Sequence, residues 1–101
     1  MTEIYYTVDG NRRTLRLKGH AGCGVRGSDI VCAAISSHVF TLLNALEKYD
    51  CEIISAGEMD ENGTATVEAI IYDPVMERIF DAIADGLVLL SENYPEFAAA
   101  Y

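Results

Sequence analysis

A chain of 101 residues, half of them apolar, suffices for one domain with a modest core and leaves no room for a second. Its formal charge of −9, from sixteen carboxylates against seven Lys and Arg, argues against direct binding to RNA or DNA; it would attract a cationic peptide, but is explained more simply as keeping a small protein soluble. No apolar run reaches the roughly 18 residues of a membrane span, and Met1-Thr2-Glu3-Ile4-Tyr5 lacks the cationic start of a signal peptide. A cytoplasmic location with no membrane contact is therefore expected. The three cysteines are unevenly spaced and suit reduced thiols better than a disulfide framework.

Residues 3–8 place Ile4, Tyr6 and Val8 on one face, the alternation of a half-buried strand. Asp9-Gly10-Asn11 supplies turn residues, and Thr14 to Lys18 alternates again, so the chain opens with a hairpin. Its second strand delivers the backbone to Gly19-His20. Three glycines then fall within residues 22–28, a loop with little to bury.

A helix is predicted from about Asp29 to Tyr49, with Val31, Ile35, Val39, Leu42, Leu46 and Tyr49 on one stripe. Cys51 to Glu58 and Thr64 to Tyr72 read as two further strands around a turn at 59–63. Asp73-Pro74 opens a second helix, Asp as cap and Pro at the first helical position. Its seam runs through Met76, Phe80, Ile83, Leu87, Leu90 and Tyr94, and Gly86 would permit a close helix crossing. The acids Asp81, Asp85, Glu92 and Glu96 read as a solvated face. Pro95 stops the helix, and residues 97–101 form an apolar tail without an assigned element.

The predicted order is ββαββα. That is an α+β sandwich in which one four-stranded mixed or antiparallel sheet carries two helices, with residues 1–101 as a single domain. So short a domain, with a Leu-rich second helix and an apolar tail, suits dimerisation.

The chemistry concentrates between residues 19 and 32. Ser28 or Asp29 is a natural N-cap, which puts Cys32 in the first turn of the first helix. Orphan amides and the positive end of the macrodipole favour a thiolate there. His20 precedes Cys32 by twelve residues across the glycine loop and is placed to act as its base. Taken singly, each residue has a bland role: Cys32 as a small buried hydrophobe, His20 as a turn residue. Asp29 either caps the helix or orients the imidazole. Cys51 is a packing residue at a strand start. A zinc site using His20, Cys23, Cys32 and His38 fails on helix geometry. Six positions along a helix separate Cys32 and His38 by roughly 120° and about 9 Å, too far for one ion. His38 then reads as a partly exposed helix residue.

Gly19-His20-Ala21-Gly22, followed by Asp29-Ile30-Val31-Cys32-Ala33-Ala34-Ile35-Ser36, resembles the ribosomal-processing cysteine protease family, Prp. The element order and length extend the resemblance over essentially the whole chain. It implies an endopeptidase that removes the N-terminal extension of the twenty-seventh large-subunit ribosomal protein, with Cys32 as nucleophile and His20 as base. Asp29, Gly19, Gly22 and Ser36 become supporting or substrate-binding positions. A homodimer and an apolar groove beside Cys32 are implied; a metal or organic cofactor is not. Two rivals keep the same residues in other roles. One is a non-catalytic dimeric module of ribosome assembly; the other is a thiol redox protein using Cys23 and Cys32, which lack the usual two-residue spacing.

Overall fold

The computed structural model describes residues 1–19, 28–57 and 64–101, with the side chains of residues 28 and 29 outside that description. The elements are β1 (Thr2–Asp9), β2 (Arg12–Lys18), α1 (Ser28–Leu46), β3 (Cys51–Gly57), β4 (Ala65–Ile71), α2 (Pro74–Asn93) and β5 (Ala98–Ala100). One mixed sheet runs in the order β3-β4-β2-β1-β5, antiparallel throughout except where β5 lies parallel to β1. This is the expected α+β sandwich with one correction: the sheet has five strands, not four.

The fifth strand is the apolar tail. Phe97 and Ala98 donate to the Tyr94 carbonyl, and this turn swings the chain back onto the free edge of β1. Thr2 then pairs with Ala98 and Ile4 with Ala100. Three successive alanines carry neither the alternation nor the branching of a strand, so nothing local announces the pairing. The partner edge, more than ninety residues away, decides it.

Alternation places Ile4, Leu15, Leu17, Val67, Ala69 and Ile71 on the face that the helices cover, all at most 1% exposed. The α1 stripe arrives as predicted through Val31, Ile35, Val39, Leu42 and Leu46, but the helix stops at Leu46 and Tyr49 follows it as a half-buried turn residue. Asp73 caps α2 by accepting from the Val75 amide at 2.9 Å, with Pro74 in the first position. The α2 seam is rotated slightly from the predicted line: Ala84 and Ser91 are buried, whereas Tyr94 is 36% exposed. The two helices meet closely at Gly86, where an added Cβ would lie 2.6 Å from His38 Nε2. The His38 ring therefore fills the space a side chain at position 86 would take, while its Nδ1 lies 2.7 Å from the Ala34 carbonyl.

Candidate active site

Two elements point toward the residues singled out in the sequence: the exit of β2 and the first turns of α1. Ladder pairing between β1 and β2 ends at Glu3 opposite Lys18, and Gly19 is the last described residue before the connection to α1. Its φ is +86°, in the left-handed region that side-chain-bearing residues avoid. A Cβ there would also sit 2.6 Å from the Met1 carbonyl oxygen. Conformation and space both demand glycine. The Thr2 hydroxyl, on a residue only 1% exposed, donates to the Gly19 carbonyl at 3.4 Å.

Cys32 is half-buried and packs against the core cluster that contains Leu17, the last buried residue of β2. With α1 beginning at Ser28, Cys32 is its fifth residue, slightly deeper than the first-turn position expected from an Asp29 start. The direction of helical Cα–Cβ bonds compensates, since they lean toward the N-terminus and carry the sulfur over the first turn. Ser36 follows one turn later on the same side and is also half-buried. Ile30 and Ala33 stay exposed beside Cys32, Ile30 at 64%. Between α1 and α2 a hollow of about 250 Å³ is lined by Ser37, His38, Thr41, Ala82 and Ile83, beginning more than a turn beyond the sulfur.

His20, Gly22 and Cys23, together with the side chain of Asp29, lie outside the described residues. The described part of the chain thus brings Gly19 to the strand end and Cys32 to the start of α1, with the base expected one residue beyond Gly19. Cys51 is a contrasting thiol. It donates to the Leu46 carbonyl at 3.1 Å, and burial, then the neighbouring Asp50 charge, push its pKa up. Those influences disfavour a thiolate, in keeping with a packing role.

One charged group differs from its expected place on the solvated face of α2. Asp81 accepts from the Tyr6 hydroxyl and, at 3.0 Å, from Arg13 Nε. Arg13 is 6% exposed, also donates to the Gly10 carbonyl, and lies 3.8 Å from Glu77. Burial pushes the Asp81 carboxyl up, but hydrogen bonds from Arg13 and Tyr6 with the Arg13 charge outweigh it and hold it below the usual carboxylate range. Burial and the same carboxylate raise the Tyr6 phenol. Among the described residues this cluster is far along β1 and β2 from Gly19, at the turn end of the hairpin. Asp85, Glu92 and Glu96 remain on the exposed face, as expected.

A family model described as Cysteine protease Prp matches residues 1–99. No curated protein matches the chain. Among solved structures, SMU.848 from Streptococcus mutans is 33% identical with a TM-score of 0.82, covering 99% of this chain and 91% of that one. The essential ribosomal processing protease Prp from S. aureus, solved with a covalently linked product peptide, is 24% identical with a TM-score of 0.76 over 99% of this chain and 97% of that one. The same S. aureus protease with a substrate peptide is 23% identical, also at 0.76, over 100% and 98%. At those identities the two S. aureus structures establish the fold.

Proposed function

The chain belongs to the Prp family of cysteine proteases, and on that premise we propose that Cys32 is its nucleophile, His20 its base, and a ribosomal-protein N-terminal extension its substrate. The family match carries this reading, because residues 1–99 include both the Gly19-His20-Ala21-Gly22 block and the Asp29–Ser36 block. The position of Cys32 supports it, half-buried near the positive end of α1. His20 takes the thiol proton and the sulfur attacks the scissile carbonyl carbon. Amides at the start of α1 donate to the oxyanion. Collapse breaks the C–N bond, His20 returns its proton to the leaving amine, and a thioester remains. Water, deprotonated by His20, then attacks the thioester and releases the extension as its free acid, with the proton returning to the sulfur.

Asp29, Gly22 and Ser36 support this centre, Asp29 as helix cap or imidazole partner. The S. aureus relative is a ribosomal processing protease captured with substrate and product peptides, which supports a peptide substrate here. The acidity of this chain favours the basic sequence of a ribosomal protein. Action on newly made ribosomal protein places the work in the cytoplasm, and the exposed Ile30, Phe40 and Leu89 on the helical layer suit a homodimer. Among the described residues no helix is long and apolar enough to cross a membrane.

Incubation with an N-terminally extended ribosomal-protein peptide, followed by mass spectrometry, tests the reading. Cleavage at one bond is expected, with Cys32→Ala reducing it by at least about a thousandfold. Cleavage that survives Cys32→Ala refutes the nucleophile. Cys23→Ser is expected to cleave normally; loss of function in that variant favours the thiol redox alternative.

A further inference from the structure

The helices cover one face of the sheet and leave the other open. On the open face, between β1 and β2, runs a groove of about 410 Å³ lined by Tyr5, Thr7, Thr14, Arg16 and Lys18. That volume falls within the roughly 300–1,000 Å³ of small-molecule sites. The register sets Tyr5 opposite Arg16 and Thr7 opposite Thr14, so two small side chains leave a hollow beside a ring and long cations. Tyr101 stacks on Tyr5 from the β5 side, with centroids 5.2 Å apart and planes at 18°, while the groove lies on the β2 side. Four of the chain's seven Lys and Arg stand on β2. Arg12 is paired with Glu68 and Arg13 with Asp81. Arg16 and Lys18 are exposed and, among the described residues, neither forms a salt bridge. Two positions apart on one strand face, they stand about 7 Å from each other, which long side chains can close around one phosphate.

We propose that this groove binds a small phosphate-bearing aromatic ligand, of the size of a nucleoside monophosphate. Arg16 and Lys18 hold its phosphate, and its ring packs against Tyr5 above the two threonines. Size decides against a longer nucleic acid. From residue 14 to residue 18 the groove is about 13 Å long, and an acid stands at each end, Glu3 opposite Lys18 and Glu68 opposite Thr14. Further phosphates would leave the cations and meet those carboxylates. The formal charge of −9 repels every anion at long range. Salt confines such fields to about 8 Å, and within that distance of the groove the two cations act.

Adenosine monophosphate (AMP) is the probe, titrated into the isotope-labelled full chain and followed by amide NMR shifts. Saturable shifts should map to the groove residues of β1 and β2, with a Kd of about 1 mM or below. Arg16→Gln should weaken binding at least about tenfold and Tyr5→Leu about fivefold. Arg16 is solvent-exposed, so its variant keeps the test decisive even where Tyr5→Leu disturbs the fold. Inorganic phosphate and adenosine, titrated separately, should each bind at least about tenfold more weakly than AMP. Absence of saturable shifts up to about 10 mM AMP overturns the proposal. So does an unchanged Kd in Arg16→Gln, or inorganic phosphate that matches AMP and so marks a bare anion spot. An RNA oligomer that binds more than about tenfold tighter than AMP shows a single-stranded RNA surface instead and refutes the small ligand. Sedimentation of Arg16→Gln as a monomer where the wild type is a dimer assigns the face to a second copy, and refutes it equally.

Discussion

At the turn end of the β1–β2 hairpin, the buried Arg13 guanidinium gathers Asp81, the Gly10 carbonyl and, more distantly, Glu77, while Tyr6 donates to the same Asp81. At the other end of the same two strands, among the described residues, the contacts made to Gly19 come from uncharged groups. A glycine with φ +86° fits under the Met1 carbonyl, and one hydroxyl reaches its oxygen. Charge-assisted bonds tie the first end to α2 and tolerate small displacements, because a long side chain can follow its partner. The second end has little that can adjust, as Gly19 meets the Met1 backbone carbonyl and one short, buried hydroxyl side chain. The second arrangement fixes the end of β2 by what is missing at position 19.

The sharpest way to break this contrast is Gly19→Ala. Positive φ and the carbonyl at 2.6 Å both oppose a Cβ, and a loss of at least ~2 kcal/mol in chemical denaturation is expected, with peptide cleavage reduced further than folding explains. Wild-type stability in this variant would show that the strand end is not constrained as described. Arg13→Met should come next, at about 2 kcal/mol, since it strips a buried donor from Asp81 and Gly10 but leaves both carboxylates enough solvent to rehydrate. Its kcat should equal that of the wild type. A loss of turnover comparable to that of Gly19→Ala would erase the distinction between the two ends.

The smallest effect belongs to Asp81→Asn and is read through pH. The folded carboxyl titrates below its ordinary value, so its contribution to stability is fully present above the unfolded value of about 4 and is lost as pH falls through the folded one. With the Asp81 side chain 43% exposed, solvent screening limits the contribution to about 1 kcal/mol. Thermal midpoints of wild type and Asp81→Asn should differ at pH 7 and converge in acid. A difference that grows as the pH falls would contradict the assignment of Arg13 and Tyr6 as the partners that hold this carboxylate charged.

The same contrast separates what was legible from what was not. The stripe from Val31 to Leu46, the Asp73-Pro74 start of α2 and the alternation of β4 were all readable, because each is a repeat within one element. The close crossing at Gly86 was readable as a vacancy, though not that His38 fills it. Asp81 read as solvated because its partners, Tyr6 and Arg13, lie on another element. Thr2 carried no signal at all. A threonine in a first strand is ordinary, and only the register that ends the ladder at Lys18 gives its hydroxyl a task.

By itself, the sequence determined the order of the first six elements, the core stripe of α1 and most of that of α2, and the separation of the Gly19-His20-Ala21-Gly22 block from Cys32, because periodicity, caps and spacing are properties of neighbours along a chain. Tertiary structure alone decided that three alanines would close the sheet, that Arg13 would be buried against α2, and that Met1 and Thr2 would wall in Gly19. Those contacts join residues far apart in sequence, and their free energy exists only once the sheet has brought them together.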